Sequence, residues 1–250
     1  MDLIEKTSNE NRHPWELSRA QCILNIVKKH NLSSAADIGA GDHFFASKLL
    51  SFIPGPIYAV DAGYNEKSEV IDNIHCLNDI SDLPNLNDKC GAMLMDVIEH
   101  IEDETVFLKK ILEKIPVGGL VFITVPAFQF LFSEHDIFLK HYRRYNKKQL
   151  LTLIRSQNLC IEKSHYFYSS LFFARIAGLL LKKIKTAKPT GIGGWNFSEK
   201  HIITRFIYAI LNIDFRICAF LALFRIYLPG LSLLAVCRKI EDSPQNKMER

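Results

Sequence analysis

The feature that most constrains this chain is a glycine turn placed directly after a short apolar run. Ser34-Ala-Ala-Asp37-Ile-Gly39-Ala-Gly41 leads within three residues into a helical stretch from Phe44 to Ser51. Strand, tight turn and helix in that order make the opening βα unit of a layered α/β fold. Glycines at the turn let the backbone approach a bound molecule closely, and the following helix aims its first N–H groups at the same place.

The rest of the chain continues the alternation. Ile57 to Asp61, Ile74 to Leu77 running into Asn78-Asp79, Cys90 to Met95 and Leu120 to Val125 are short, continuous apolar runs. Helical spacing links them. Trp15 to Lys29 places Leu17, Ala20, Ile23, Leu24 and Val27 on one face, and Glu102 to Ile115 does the same before Pro116 and Gly118-Gly119. Strands without alternation belong to a parallel sheet covered on both faces. A helix (Lys147 to Ser156), a strand (Leu159 to Tyr168) and a closing strand (Leu231 to Lys239) follow, with a hydrophobic helical section between the last two. At 250 residues and 48% hydrophobic composition, the chain suits a single domain over 1–250.

Asp61 ends the second run about 20 residues after the glycines, where Rossmann-type sites place a carboxylate for ribose hydroxyls. A solvated loop acid is the alternative. A dinucleotide is disfavoured, because the usual GxGxxG spacing requires glycine at position 44 and this chain has His43-Phe44. An NAD-dependent oxidoreductase is therefore the weaker reading.

Bulk properties remove other classes. A net charge of +4 is too small for a chain that tracks phosphates, so no nucleic-acid partner is expected. The six cysteines are scattered without a CxxC pair, the usage of a cytoplasmic protein with reduced thiols. Met1 to His13 lacks the apolar core of a secretory signal, so export is not expected. No metal is expected either, since His135, Asp136 and His141 lack a recognisable ligand spacing.

Taken together, these residues resemble the class I S-adenosylmethionine-dependent methyltransferases, in their small-molecule branch. Asp37-Ile-Gly39-Ala-Gly41 is similar to the first motif of that superfamily, Asp61 to its second, and Leu77-Asn-Asp79-Ile80 to its third. Asp96-Val97-Ile-Glu-His100-Ile-Glu-Asp resembles the motif after strand four, and Pro229 to Lys239 the antiparallel last strand. The resemblance implies a Rossmann-like, doubly wound, mostly parallel seven-stranded sheet with an antiparallel last strand and a helical insertion before it. The core would be 12–170 plus 229–240, and the insertion 171–228. The implied cofactor is S-adenosyl-L-methionine. Gly39 and Gly41 would pass under its methionyl part, Asp61 would take the ribose, Asp79 and the Ile80 backbone the adenine edge, and Asp96 would lie near the methionine amine, with Val97 a further cofactor-binding candidate, while Asp37 organises the turn. Asp96 also suits a helix cap, and both roles are compatible. One departure is His43, which stands where the superfamily often has a third glycine. It is also the one hint of a second class, a binding or regulatory protein that keeps the fold without turnover.

Methyl transfer asks the protein mainly to orient the nucleophile, with a base where the acceptor is a hydroxyl. Past Val125-Pro126 the chain runs through Ser133-Glu-His135-Asp136 and His141-Tyr-Arg143-Arg144-Tyr145, a polar and aromatic cluster at the carboxyl end of the sheet. His135 and His100 are the candidate bases, with His141 a third catalytic candidate. Arg143, Arg144 and Tyr145 are candidates for binding a phosphate or carboxylate on the acceptor. The competing roles are a packed or capping His100 and arginines paired with acids on a solvated face.

The insertion divides between two readings. Residues 171–185 and 206–228 are apolar with basic interruptions, and charges within the second argue against a membrane span. Either the insertion is a helical lid walling an acceptor pocket, or it rests on a membrane with Lys182, Lys183, Lys185 and Lys188 toward anionic headgroups, which suits a lipid-linked acceptor.

Overall fold

Alternate side chains along the central strands feed two separate cores, one on each face of the sheet. In β5 (Cys90–Met95), Cys90, Ala92 and Leu94 join one buried cluster and Met93 the other. In β6 (Leu120–Pro126), Val121, Ile123 and Val125 point one way and Leu120 and Phe122 the other. The computed structural model describes residues 11–65, 68–180 and 195–241.

The remaining elements follow in chain order. Pro14–Val27 forms α1, Ser34–Ile38 β1, Phe44–Leu49 α2, Ile57–Val60 β2, Ser68–Ile71 β3 and Ile74–Leu77 β4. After β5 come α3 (Glu104–Glu113), β6, α4 (Glu134–Phe138), α5 (Lys147–Ser156), β7 (Leu159–Phe167), α6 (Ser169–Leu180), α7 (Ile202–Leu223) and β8 (Ser232–Lys239). The sheet runs β3-β4-β2-β1-β5-β6-β8-β7. Strands β4, β2, β1, β5 and β6 are mutually parallel, and β8 is antiparallel to both β6 and β7. The strand order reverses between β1 and β5, which opens a crevice at their carboxyl ends.

The doubly wound fold is present, with eight strands instead of seven. The addition is β3, which pairs antiparallel with β4 across Asp72-Asn73. Both turn residues have positive φ (49° and 65°), the left-handed pair that a two-residue hairpin requires. All four β3 side chains are exposed, so the strand carries no burial pattern to read.

Helices α3 and α5 cover one face through Leu108, Ile111, Leu150 and Ile154. Helices α1, α2 and α7 cover the other through Ile23, Val27, Leu49, Leu211 and Phe215. Within the expected insertion α6 and α7 are helical, residues 195–201 and 224–228 are turns and irregular chain, and Lys182, Lys183, Lys185 and Lys188 lie outside the described residues. By length and composition α7 is apolar enough to cross a membrane, with a mean hydropathy of 1.8 over its best window, 22% of which is buried. Its interior acid is turned into the fold. Asp214 accepts hydrogen bonds from the N–H groups of Ser169 (3.0 Å) and Ser170 (2.6 Å), capping α6 from a neighbouring helix. Of the cysteines, only Cys160 is exposed, and all six are unpaired.

Candidate functional site

The glycine turn is held from both sides. Gly39 has φ 71° and donates its N–H to Val60 O at 2.7 Å, and a Cβ there would come within 2.7 Å of Val97 Cγ2. Only glycine fits that combination of conformation and space. Asp61, just past β2, accepts from the Gly41 N–H through Oδ2 and from the Gly63 N–H through Oδ1, both at 2.8 Å. Asp37 lies behind the turn within β1. It is 2% exposed, one carboxylate oxygen has no hydrogen-bond partner, and burial pushes the group up to about 7. His43 adopts φ 62° ahead of α2, and its ring lies 4.8 Å from that of Tyr64.

Two further acids stand along the same crevice. Asp79 caps the short turn Ile80–Asp82 by accepting from the Ser81 N–H at 2.7 Å. Asp96 leaves β5 with φ 58°, an uncommon conformation for a side-chain-bearing residue. Its Oδ1 accepts from Thr124 Oγ at 2.9 Å and its other oxygen pairs with Arg19 of α1. Asp96 does not cap the turn that follows, because that turn starts after Val97, which supplies no side-chain bond. Helix α1 is also fastened over the glycine turn: Arg12 pairs with both Glu16 and Asp42 and lies 3.8 Å above the Phe44 ring. The Arg19 guanidinium stacks 4.5 Å over Trp15.

At the far end, Asp136 organises a buried cluster. Its carboxylate accepts from Arg144 Nε (2.7 Å) and Nη2 (3.0 Å) and from the Ser133 N–H (2.9 Å), and lies 2.9 Å from His141 Nδ1. Burial alone would raise its pKa, but the bonds from His141 and Arg144 win and hold it well below the ordinary carboxylate range. The His100 and His141 rings meet edge to face at 4.5 Å. Glu99 beside them is fully buried with no hydrogen bond to either carboxylate oxygen, and burial pushes it up to about 8. Burial lowers the pKa of His135, which favours its neutral form.

These groups face one cleft of about 1320 Å³. One end is lined by Gly39, Asp61, Asp79, Ile80, Asp96 and Val97, together with Trp15 and Arg19. The other is lined by Glu99, His100, His135, His141 and Arg144, and Leu171 and Trp195 of the expected insertion add a wall. Asp37 and Gly41 support the first end without lining it.

Two acceptor candidates lie elsewhere. Arg143 pairs with Glu104 and donates to Glu102 O at 2.7 Å, at the start of α3. Tyr145 is 3% exposed within the core, and its backbone bridges Ala127. Adjacent arginines on an extended segment face opposite ways, and only Arg144 turns toward the cleft. Glu99 and Asp136 carry the polar organisation of this end. Their signal in the sequence was an acid flanked by histidine in Glu99-His100 and His135-Asp136.

No protein-family model matches the sequence, and no curated protein matches it. Solved structures do share the fold. A SAM-dependent methyltransferase from Archaeoglobus fulgidus aligns with a TM-score of 0.53 at 17% identity, over 90% of this chain and 94% of that one. The 1,6-didemethyltoxoflavin-N1-methyltransferase of Burkholderia thailandensis, with its substrate and S-adenosylhomocysteine bound, aligns at 0.50 and 12% identity, over 91% and 79%. The [4+2]-cyclase SpnF aligns at 0.53 and 15% identity, over 94% and 86%. The chain therefore has the fold of the SAM-dependent methyltransferases, which also carries other chemistry.

Proposed function

We propose that this chain is an S-adenosyl-L-methionine-dependent methyltransferase that methylates an oxygen of a small-molecule or lipid-linked acceptor. The observation that carries this reading is the division of one cleft into two chemically different ends. The end at the glycine turn matches the cofactor. Asp61 suits a ribose diol, Asp79 and the Ile80 backbone suit an adenine edge, and the pair Asp96 and Arg19 offers an anion and a cation to a zwitterionic amino acid. Gly39 lets the turn sit against Val97, where a side chain would clash and displace the backbone that lines this end.

When bound, the cofactor supplies an electrophilic methyl group on a positively charged sulfur, so the protein need not create a leaving group. The chain's task is placement and proton removal. His135, kept neutral by its burial, is the preferred base. Arg144 is fixed on Asp136 and lines the acceptor end as half of that ion pair.

The insertion supports an acceptor delivered from a lipid surface. Ile203, Phe206, Ile210, Ile213, Ile217 and Phe220 recur three or four residues apart on α7 and are all exposed. The helix's single acid, Asp214, is on the buried side, whereas Arg205 and Arg216 are exposed, a distribution suited to anionic headgroups.

Calorimetry with S-adenosylhomocysteine, followed by methyl-transfer assays with a panel of hydroxyl-bearing small molecules and lipid-linked glycans, tests the reading. Saturable binding and turnover on one acceptor class are expected. Absence of binding by folded protein would remove the proposal, and binding without turnover on any acceptor would favour a non-catalytic role.

A further inference from the structure

We propose that Glu99, His100 and His141 bind one divalent transition-metal ion at the acceptor end of the cleft. One ligand atom from each lies within 4.8 Å of the other two. Donors bound tetrahedrally at about 2.0–2.2 Å to one ion are about 3.3–3.6 Å apart, so side-chain adjustments of about 1 Å close the set.

Two independent features of the surroundings favour an ion. The first is Glu99, which is 0% exposed and has neither oxygen hydrogen-bonded. A carboxylate is not normally buried without a compensating partner, and a cation between it and the imidazoles provides one. The second is the support behind His141. Its Nδ1 lies 2.9 Å from Asp136, whose remaining acceptor capacity is taken by Arg144 and Ser133. That leaves Nε2 of the ring for a metal, in the carboxylate–histidine–metal arrangement that orients ligating imidazoles. His100 meets the same ring at 84°, so its nitrogens approach from a different direction.

The donor set selects the class of ion. Two imidazoles with one carboxylate suit Zn²⁺, Mn²⁺, Co²⁺ or Fe²⁺, whereas Mg²⁺ and Ca²⁺ prefer oxygen ligands throughout. Three protein ligands leave coordination positions open. Because all three residues line the cleft, an acceptor oxygen can occupy such a position and be polarised there. That role, unlike the binding itself, rests on the proposed methyl transfer.

The test is titration of the chelator-treated full chain with ZnCl₂ or MnCl₂, without cofactor, by calorimetry. One equivalent is expected, with Glu99→Gln and His141→Ala each weakening uptake by about 100-fold or more and Asp136→Asn by about 10–100-fold. Circular dichroism checks that each variant folds. If a variant does not, pulsed electron paramagnetic resonance of the Mn²⁺-loaded wild type replaces it and should show imidazole nitrogens on the ion. No uptake of either ion, unchanged affinity in Glu99→Gln, or no nitrogen coupling would overturn the site. Titration of the same samples with S-adenosylhomocysteine separates the two readings: binding of that molecule without metal sinks only the metal site, and the reverse sinks only the methyltransferase reading.

Discussion

Asp61 and Gly41 are joined by a hydrogen bond of 2.8 Å that crosses from the end of β2 to the turn after β1. The acid thereby fixes the turn that it also faces across the cleft. An ionised carboxylate offers about four acceptor positions, so the bonds from Gly41 and Gly63 leave capacity for a diol.

Replacing Asp61 should therefore injure binding twice, through the lost ligand contact and through a loosened turn. Asp61→Ala is expected to cost about 1–3 kcal/mol of S-adenosylhomocysteine affinity, or about 5–150-fold in Kd by calorimetry. Asp61→Asn should not restore it, because its amide nitrogen would meet a backbone N–H donor at one of the two existing bonds. An unchanged Kd in either variant would mean that Asp61 supports cofactor binding neither directly nor through the turn.

Asp136 should be the most costly polar residue to neutralise at the acceptor end. Asp136→Asn removes the charge that compensates part-buried Arg144, a loss worth about 3–5 kcal/mol of stability by urea unfolding. The pH dependence has a definite sign. The folded carboxyl titrates below its unfolded value near 4, so its stabilisation is complete above about pH 4 and is lost as the pH falls further. The wild type should lose stability on that acid limb more steeply than Asp136→Asn; parallel limbs would mean that the ion pair contributes nothing.

Asp37 should behave in the opposite way. Burial raises it to about 7, so the folded state holds a proton that the unfolded chain releases near pH 4. Stability should then decline as pH rises from about 4 to 7 and level off above, where the buried charge carries its full cost. Asp37→Asn removes that cost, and its unfolding midpoint should exceed the wild type's at pH 8 but not at pH 4. A variant no more stable at pH 8 would show that the turn depends on the charged form.

How much of this was legible in sequence varied with the range of the interaction. The β1 strand, its glycine turn and the strands after it were plain because each is a continuous apolar run closed by a local signal. Strand β3 was hidden because its four side chains are exposed, although Asp72-Asn73 carried the hairpin turn. At the site, the order of acids along the sheet was readable from their spacing after each strand. The buried cluster was not: Glu99 and His141 are 42 residues apart by number, the segments are joined where Tyr142 N–H bonds to Glu99 O at 2.8 Å, and no periodicity encodes that bond. Arg143 and Arg144 are equivalent as sequence, and only the local direction of the backbone sends one to Glu104 and the other to Asp136.

The exposed face of α7 yields the most direct test of where the protein works. Side chains as large as Phe206, Ile213 and Phe220 remain 65%, 57% and 58% exposed, although the helix's other face is packed through Leu211, Phe215 and Cys218. A contiguous apolar stripe of this kind on a folded domain marks a contact surface, and the proposed lipid-delivered acceptor assigns it to an anionic bilayer. In flotation with vesicles containing phosphatidylserine, the wild type should rise with the lipid, and less so as salt is raised. The triple variant Phe206→Glu, Ile213→Glu, Phe220→Glu should remain in the soluble fraction while keeping its affinity for S-adenosylhomocysteine, because none of the three lines the cleft. Wild-type protein that never floats would end the membrane reading. If the same variant instead abolished a concentration-dependent dimer, the stripe would belong to a second copy of the chain.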